Sequence, residues 1–322
     1  MADHVEIREL TADEIAGHAP PADAPENWQE SWGFSWHDPI RRAGGINHIS
    51  IWRNRGYADV WSWVALDGEV VGKFQSLNLD MPDEDFPNWA LGGQRITQHS
   101  GRSCSMRNSY ESGTQVDLDY EAFTDPLAFS VDVDGTTWGS SHFESIGRVT
   151  GTVTVGGEAT EVAGMAWQDH SWGARRWADT LSHRWIMAGF GPDLFISAIQ
   201  VITEKGGAVP IGFVYDSGRL HRVTQTTFGS RMADDGHTPV GCDAQIWTDA
   251  GHGYRVLGEV HTASPSSHVE GFWFTDGLCI FECGGRLGAG MLEIQELNRP
   301  TRAHREQLGL DVPGAVPAAY AV

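Results

Sequence analysis

Basic side chains are scarce in this chain: 22 Lys and Arg stand against 43 Asp and Glu in 322 residues, for a formal net charge of −21. A surface of that sign repels phosphate backbones and anionic lipid headgroups, which excludes nucleic acid and membrane surfaces as expected partners. No apolar run approaches the ~18 residues of a membrane span, so membrane insertion is not expected either. Cysteine is sparse too, at positions 104, 242, 279 and 283. On an extended strand Cys279 and Cys283 would stand roughly 13 Å apart at ~3.3 Å per residue, too far for a disulfide or a shared metal. Met1-Ala2-Asp3-His4-Val5-Glu6 has neither the basic start nor the apolar stretch of a signal peptide. The expectation is a cytoplasmic protein with free thiols.

Recognisable catalytic signatures are missing as well. There is no HExxH, no paired CxxC, no Gly-x-Ser-x-Gly elbow and no phosphate-binding Walker loop. The Gly-rich pieces lie between strand-like runs with no following helix, so a dinucleotide fingerprint is absent. None of the 14 His has ligand spacing. Neither a metal nor a cofactor is expected.

What the chain has in quantity is tryptophan, 14 residues spread over both halves, together with 39 Gly and 14 Pro. Indoles bring large rigid apolar area with one polar handle, which suits a core and equally an apolar pocket. Thr11-Ala12-Asp13-Glu14 has the form of a capping box and predicts a short helix over about 12–18. Trp28, Trp32 and Trp36 recur every fourth residue, but Gly33, Pro39 and Gly44-Gly45 favour an aromatic-rich loop or arm over a helix.

From residue 46 the pattern is β. The run Tyr57–Leu66 meets Asp67-Gly68 and then Glu69–Phe74, the strongest short signal for a hairpin because both turn residues need positive φ. Trp61 and Trp63 share one face and Val60, Val64 and Leu66 the other, as expected for a strand between a core and a cavity. Val116–Ala122 alternates strictly, placing Asp117, Asp119 and Glu121 on a solvated face. Turns are expected at Asp134-Gly135, Gly156-Gly157, Ser217-Gly218, 249–253 and Asp276-Gly277. Roughly sixteen short strands are about twice what one small barrel uses, so the expectation is an all-β chain of two similar domains. Their limits are read as 1–160 and 161–322, with a helix after Asn298 and an extended tail from Val312.

One stretch interrupts the β pattern: Trp167-Gln168-Asp169-His170-Ser171-Trp172-Gly173-Ala174-Arg175-Arg176-Trp177. It collects a carboxylate, an imidazole, three indoles and two guanidiniums, and it reads as the lip of a pocket. Asp169 and His170 are neighbours, so on an extended chain they point to opposite faces, unless the chain turns at Ser171-Trp172-Gly173. An imidazole beside an indole, away from water, suits proton transfer. Asp169 serves as an acid if burial raises its pKa. Arg175 or Arg176 either neutralises Asp169 or binds a substrate oxygen. A structural alternative makes Asp169–Arg175 an ion pair and the tryptophans core. His142 and Glu144 share a strand face and form a second group, either a surface pair or a part of the same cavity.

The order His-x-Glu, a downstream Arg and Gly, a Gly-Gly turn and Trp-x-Asp-His-Ser-Trp-Gly-x-Arg resembles the hydroxyneurosporene synthase-like superfamily. That group includes carotenoid 1,2-hydratases and is similar to kievitone hydratase and, more distantly, to lipocalin-like Diels–Alderases. The matching residues are His142, Glu144, Arg148, Gly151, Trp167, Asp169, His170, Ser171, Trp172, Gly173 and Arg175, all within 142–177. The resemblance implies two lipocalin-like antiparallel β-barrels in tandem and an apolar, often isoprenoid substrate. It implies protonation of a C=C to a carbocation trapped by water, with no cofactor. The family's His-x-Trp pair matches His170 and Trp172. Its downstream Tyr-x-Asp is replaced by Phe195-Ile196-Ser197.

Together these readings expect a hydratase, dehydratase or isomerase for an apolar terpenoid or prenylated phenolic molecule. Asp169 or His170 is the expected proton donor. Trp172, Trp167, Trp185, Arg175, His142 and Glu144 are the expected substrate-binding residues. A non-catalytic carrier of hydrophobic ligands and a cyclising or pericyclic catalyst are the alternatives, and a homodimer is left open.

Overall fold

The computed structural model describes residues 5–82, 88–133, 136–175, 180–203, 208–236, 238–264, 267–269 and 272–297. The predicted helix after Asn298, the extended tail, Arg176, Trp177 and the Asp134-Gly135 turn lie outside them. The helix near the N-terminus is α1, Ala12–Ile15, shorter than the sequence suggests but capped as expected: Thr11 and Glu14 satisfy each other's backbone N–H.

Everything else is antiparallel sheet. Among the described residues there are 21 strands, more than the roughly sixteen expected. Part of the excess is the tryptophan-rich segment read as a loop, which forms β2 (Trp28–Asp38) and the first residues of β3 (Ala43–Trp52). A spacing of four puts residues on one face of a strand as well as of a helix, because four is a multiple of two. Trp32, Phe34 and Trp36 thus face one way, fully buried inside the first sheet.

Besides β2 and β3, the first sheet holds β1 (Val5–Ile7), β4 (Tyr57–Leu66), β5 (Glu69–Leu79), β6 (Ala90–Leu91) and β7 (Gln94–Ser100). It also holds β8 (Ser103–Ser109), β9 (Gln115–Ala122), β10 (Leu127–Val133), β11 (Thr136–Val155) and β12 (Glu158–Ala174). Its order is β5-β4-β3-β2-β12-β11-β9-β8-β7-β6, with β10 attached to β11 and β1 to β10. The Asp67-Gly68 hairpin forms as expected, with φ of 53° and 85°. β9 alternates exposed and buried along its length. Arg107 and Arg148 pair with its outward carboxylates.

The second sheet starts with β13 (Thr180–Gly189) and β14 (Leu194–Thr203) and ends with β20 (Phe272–Cys283) and β21 (Arg286–Leu297). It closes on itself because β18 (Gly253–Ala263) pairs with both β17 (Pro239–Thr248) and β20. The result is an eight-stranded barrel beside a first barrel that is nearly closed, the tandem lipocalin-like arrangement expected.

Two expectations need correction. The strand carrying the Trp-x-Asp-His motif was assigned to the start of the second domain. It instead pairs with β2 and β11, so the first sheet extends to Ala174 and the second begins at Thr180. The Gly156-Gly157 turn near the expected join is only the hairpin between β11 and β12. Asp276-Gly277 is not a turn either: it sits mid-strand in β20, and the tight turn falls at Gly284-Gly285, where both φ are positive.

Each barrel interior holds its own apolar core. The first is built by Trp32, Phe34, Trp36, Trp89, Leu118 and Tyr120 with their neighbours, the second by Ile186, Ile196, Val214, Phe281 and Leu292 with theirs. A third apolar cluster draws on both sheets, joining Trp63, Ile146 and Trp167 to Met187, Phe213 and Met291. Polar pins accompany it. His37 Nε2 lies 2.7 Å from His261 Nε2. The Gly290 N–H donates to His37 Nδ1 at 3.2 Å, so the His37 proton sits on Nε2 and points at His261.

Candidate active site

Between the two barrels, beside that shared cluster, lies a cavity of about 90 Å³, on a scale where one water needs ~10–15 Å³. Its wall is mostly aromatic and aliphatic: Ile46, Trp52 and Trp61 from the first sheet face Trp185, Met187, Ile199 and Phe274 from the second, with Phe129 at the side. The polar lining is confined to Gln29, Ser31, Ser35, His48, Ser50, His142, Asp169, Ser171, Arg175, His183 and Glu293.

Strand alternation decides which motif residues reach this space. On β12, Asp169 and Ser171 point outward from the first barrel into the cavity, while Gln168 and His170 point into the barrel. Asp169 stands opposite Gly33 on β2 and Glu144 on β11. Its carboxyl lies over Gly33, where a Cβ would come within 2.2 Å of Oδ2. Glycine here, between Trp32 and Phe34, makes the room the carboxyl occupies. Burial, opposed by His142 and Arg175 and reinforced by Glu144 and Glu293, raises the Asp169 pKa from 3.8 to about 6. No hydrogen bond to this carboxyl is present among the described residues.

Arg175 extends the same wall. Its Nη2 donates to Ser31 Oγ at 2.8 Å and to Ser171 Oγ, and its backbone carbonyl accepts from Asn27 Nδ2. Burial, against the pull of Asp169, lowers the Arg175 pKa to about 10, still charged at neutral pH. Asp169 and Arg175 thus interact through charge alone, with Arg175 anchored on Ser31 and Ser171, not as a strand-tying salt bridge. His48 stacks on Trp61 at 3.8 Å and is kept neutral, first by burial and then by Arg175. His142 Nε2 lies 3.2 Å from Glu144 Oε1 without the alignment of a hydrogen bond. His142 reaches the cavity and Glu144 stays behind it.

The other expected residues divide as follows. Trp185 lines the cavity and donates to Ser197 Oγ at 3.0 Å. Trp167 belongs to the inter-sheet cluster next to it. His170 and Trp172 do not reach it. His170 is fully buried on the far side of β12, and its Nε2 lies 3.0 Å from Glu30 Oε1. Trp172 stacks on His18 at 3.7 Å. The Asp-His dyad of the sequence is therefore split by the β pleat into a cavity carboxyl and an interior imidazole.

His18, Glu30 and His170 form the one group among the described residues with metal-ligand proximity, their donor atoms lying within 4.8 Å of one another. Glu30 Oε1 accepts from His18 N and lies within hydrogen-bond reach of His18 Nδ1 and His170 Nε2, while Arg53 Nη2 stands 3.6 Å from Oε2. Burial alone would raise Glu30, but the bonds from His170 and His18 outweigh it and hold the carboxyl near 2. Such a carboxylate, crowded by donors and a guanidinium, fits a hydrogen-bonded ion cluster.

Sequence reasoning missed Gly33, Ser31, His48, Trp52, Phe129, Phe274 and Glu293. Gly33 between two large aromatics, and Glu293 alone in the apolar run Met291-Leu292-Glu293-Ile294, are the signals that were available.

Residues 11–298 match the family described as a domain of unknown function, DUF7064. The chain belongs to the DUF7064 family. Among solved structures, this DUF7064 chain is similar to an AttH-designated protein of Nitrosomonas europaea, with a TM-score of 0.64 at 14% identity over 87% of this chain and 100% of that one. Kievitone hydratase from Nectria haematococca superposes with a TM-score of 0.59 at 14% identity, over 90% and 96% of the two chains. CghA with Sch210972 gives 0.52 at 12% identity, over 91% and 98%. At these identities the likeness is one of fold. No curated protein matches the sequence.

Proposed function

We propose that this DUF7064 protein catalyses proton transfer at a C=C of an apolar small molecule, of terpenoid or prenylated phenolic type, by hydration, dehydration or isomerisation without a cofactor. The observation that carries this reading is Asp169: a carboxyl with a pKa near 6 in an apolar cavity lined by three indoles. Such a group exchanges a proton with carbon or water at neutral pH, away from competing bulk solvent. Trp52, Trp61 and Trp185 offer π faces to a developing carbocation. Arg175, fixed by two serines, attracts the ionised Asp169 carboxyl and stands ready for a substrate oxygen. The name of kievitone hydratase, one of the proteins similar in fold, supports hydration.

The test is incubation with a panel of isoprenoid and prenylated phenolic compounds in doubly labelled water (deuterium and oxygen-18), read by mass spectrometry. Label should enter one product, and Asp169→Asn should lower its formation by orders of magnitude with the fold intact. Turnover of that variant at the wild-type rate would remove Asp169 from the reaction. Conversion to a cyclised isomer carrying no label would put cyclisation in place of hydration.

A further inference from the structure

The second sheet contributes a carboxyl pair that the scheme above leaves unused. Asp276 on β20 and Glu293 on β21 are direct cross-strand partners, and both are buried. Glu293 lines the cavity and Asp276 lies behind it. Trp63 Nε1 donates to Asp276 Oδ2 at 3.4 Å, and His183 Nε2 lies 2.5 Å from Glu293 Oε1. Two carboxyls set directly opposite each other on neighbouring strands and away from water repel each other when both are ionised, so the pair shares a proton.

Its surroundings differ from those of Asp169. Among the described residues no guanidinium pairs with Asp276 or Glu293, and the neighbouring His183 is held neutral by burial. Asp169 has Arg175 on its own side of the cavity. The remaining ionisable groups on the cavity wall are His48 and His142, both from the first sheet. Where the environments of carboxyls in one site diverge in this way, the group beside the cation tends to be the base and the proton-sharing pair the acid.

We propose that the Glu293–Asp276 pair is the proton donor of this cavity and Asp169 the acceptor, so that the two sheets act on a C=C from opposite faces. The assignment rests on the proton-transfer reading above. In the hydration direction, the Glu293 O–H proton goes to one alkene carbon and the π electrons form the new C–H bond. Water adds its oxygen to the other carbon, and one of its protons passes to the Asp169 carboxylate. Alkene and water become an alcohol. The pair is then one proton poorer and Asp169 one richer, a balance that resets through cavity water. Dehydration runs the same steps backwards, and in isomerisation Asp169 takes the proton from an allylic carbon. Delivery from opposite walls makes the addition anti.

The donor is tested without a substrate by diisopropylcarbodiimide, a small apolar reagent. It takes a proton from a neutral carboxyl, adds the resulting carboxylate at its central carbon and rearranges to a stable N-acylurea; an ionised carboxyl fails the first step. The full chain is treated at neutral pH and the adduct is mapped by peptide mass spectrometry. Glu293 should be modified several-fold more than Asp169 in wild type and to the same extent in Asp169→Asn, and Glu293→Gln should lose the adduct while melting as wild type does. Asp276→Asn should move the alkaline limit of Glu293 modification to lower pH, since the ionised neighbour that discourages loss of the Glu293 proton is gone. Modification of Asp169 in place of Glu293, absence of adduct from both in the folded protein, or an unmoved limit in Asp276→Asn would each overturn the assignment. Adduct on Glu293 with no conversion anywhere in the isoprenoid panel would instead sink the hydratase reading and leave the shared proton standing.

Discussion

Replacing Asp169 with Asn should make the protein more stable above pH 6, even though it should end turnover. The folded protein holds this carboxyl at about 6 against 3.8 for the unfolded chain. A raised folded-state pKa means that the native state binds the proton more tightly than the unfolded state does. Its contribution to stability is therefore complete below pH 3.8 and drains away as the pH climbs through 6. At ~1.36 kcal/mol per pH unit, the interval amounts to about 3 kcal/mol by pH 7. Asn keeps the shape and carries no charge, so the variant escapes that loss. In a chain of this size, about 3 kcal/mol corresponds to roughly 4–5 °C in Tm. Differential scanning calorimetry of both proteins at pH 4 and pH 8 decides the matter. The variant should melt higher at pH 8, and the gap should close at pH 4. A variant that melts below wild type at pH 8, or a gap of the same size at both pH values, refutes the claim that burial strains this carboxylate.

His170→Ala should act in the opposite sense. It removes a main partner of the buried Glu30 carboxylate, at a cost of about 3–5 kcal/mol by urea denaturation, while binding of an apolar fluorophore in the cavity is unchanged. Gly33→Ala should leave the melting temperature close to wild type and lower turnover at least tenfold, because its methyl takes the space of Asp169 Oδ2; undiminished rates would show that the carboxyl position is unimportant. Trp61→Ala should weaken ligand binding measured by indole quenching and destabilise by about 3–5 kcal/mol, since it deletes a buried ring stacked on His48. His37 is depressed from 6.5 to about 3, first by burial and then by His261. Its contribution is therefore present above pH 6.5 and falls away below it, and His37→Gln should flatten the acid limb of a stability-against-pH curve.

The sequence made the hairpins and the face of β9 legible because both depend on local rules: the positive φ of Asp67-Gly68, and the two-residue period of Asp117, Asp119 and Glu121. The Trp-x-Asp-His stretch was recognisable as a site for its composition. Its split between two faces follows from the pleat, and only the strand pairing shows that the chain does not turn at Ser171-Trp172-Gly173. Trp28, Trp32 and Trp36 were misread as a loop because Gly33, Pro39 and Gly44-Gly45 look like breakers, although a spacing of four also fits one face of a strand and Gly33 lies within it. The far wall of the cavity was out of reach for another reason. Glu293 and Asp276 meet Asp169 only once two sheets have closed and docked, a relation between distant segments that no local pattern encodes. Asp276-Gly277 even imitates a turn.

Lipocalin-like barrels commonly hold their cargo in the lumen, but each lumen here is occupied by its own core and the cavity is a seam between outer walls. Its capacity is therefore a matter of how two finished barrels rest against each other. A side chain swapped along that seam can reshape what is admitted while leaving either core untouched. Specificity in this architecture is free to drift without endangering the fold.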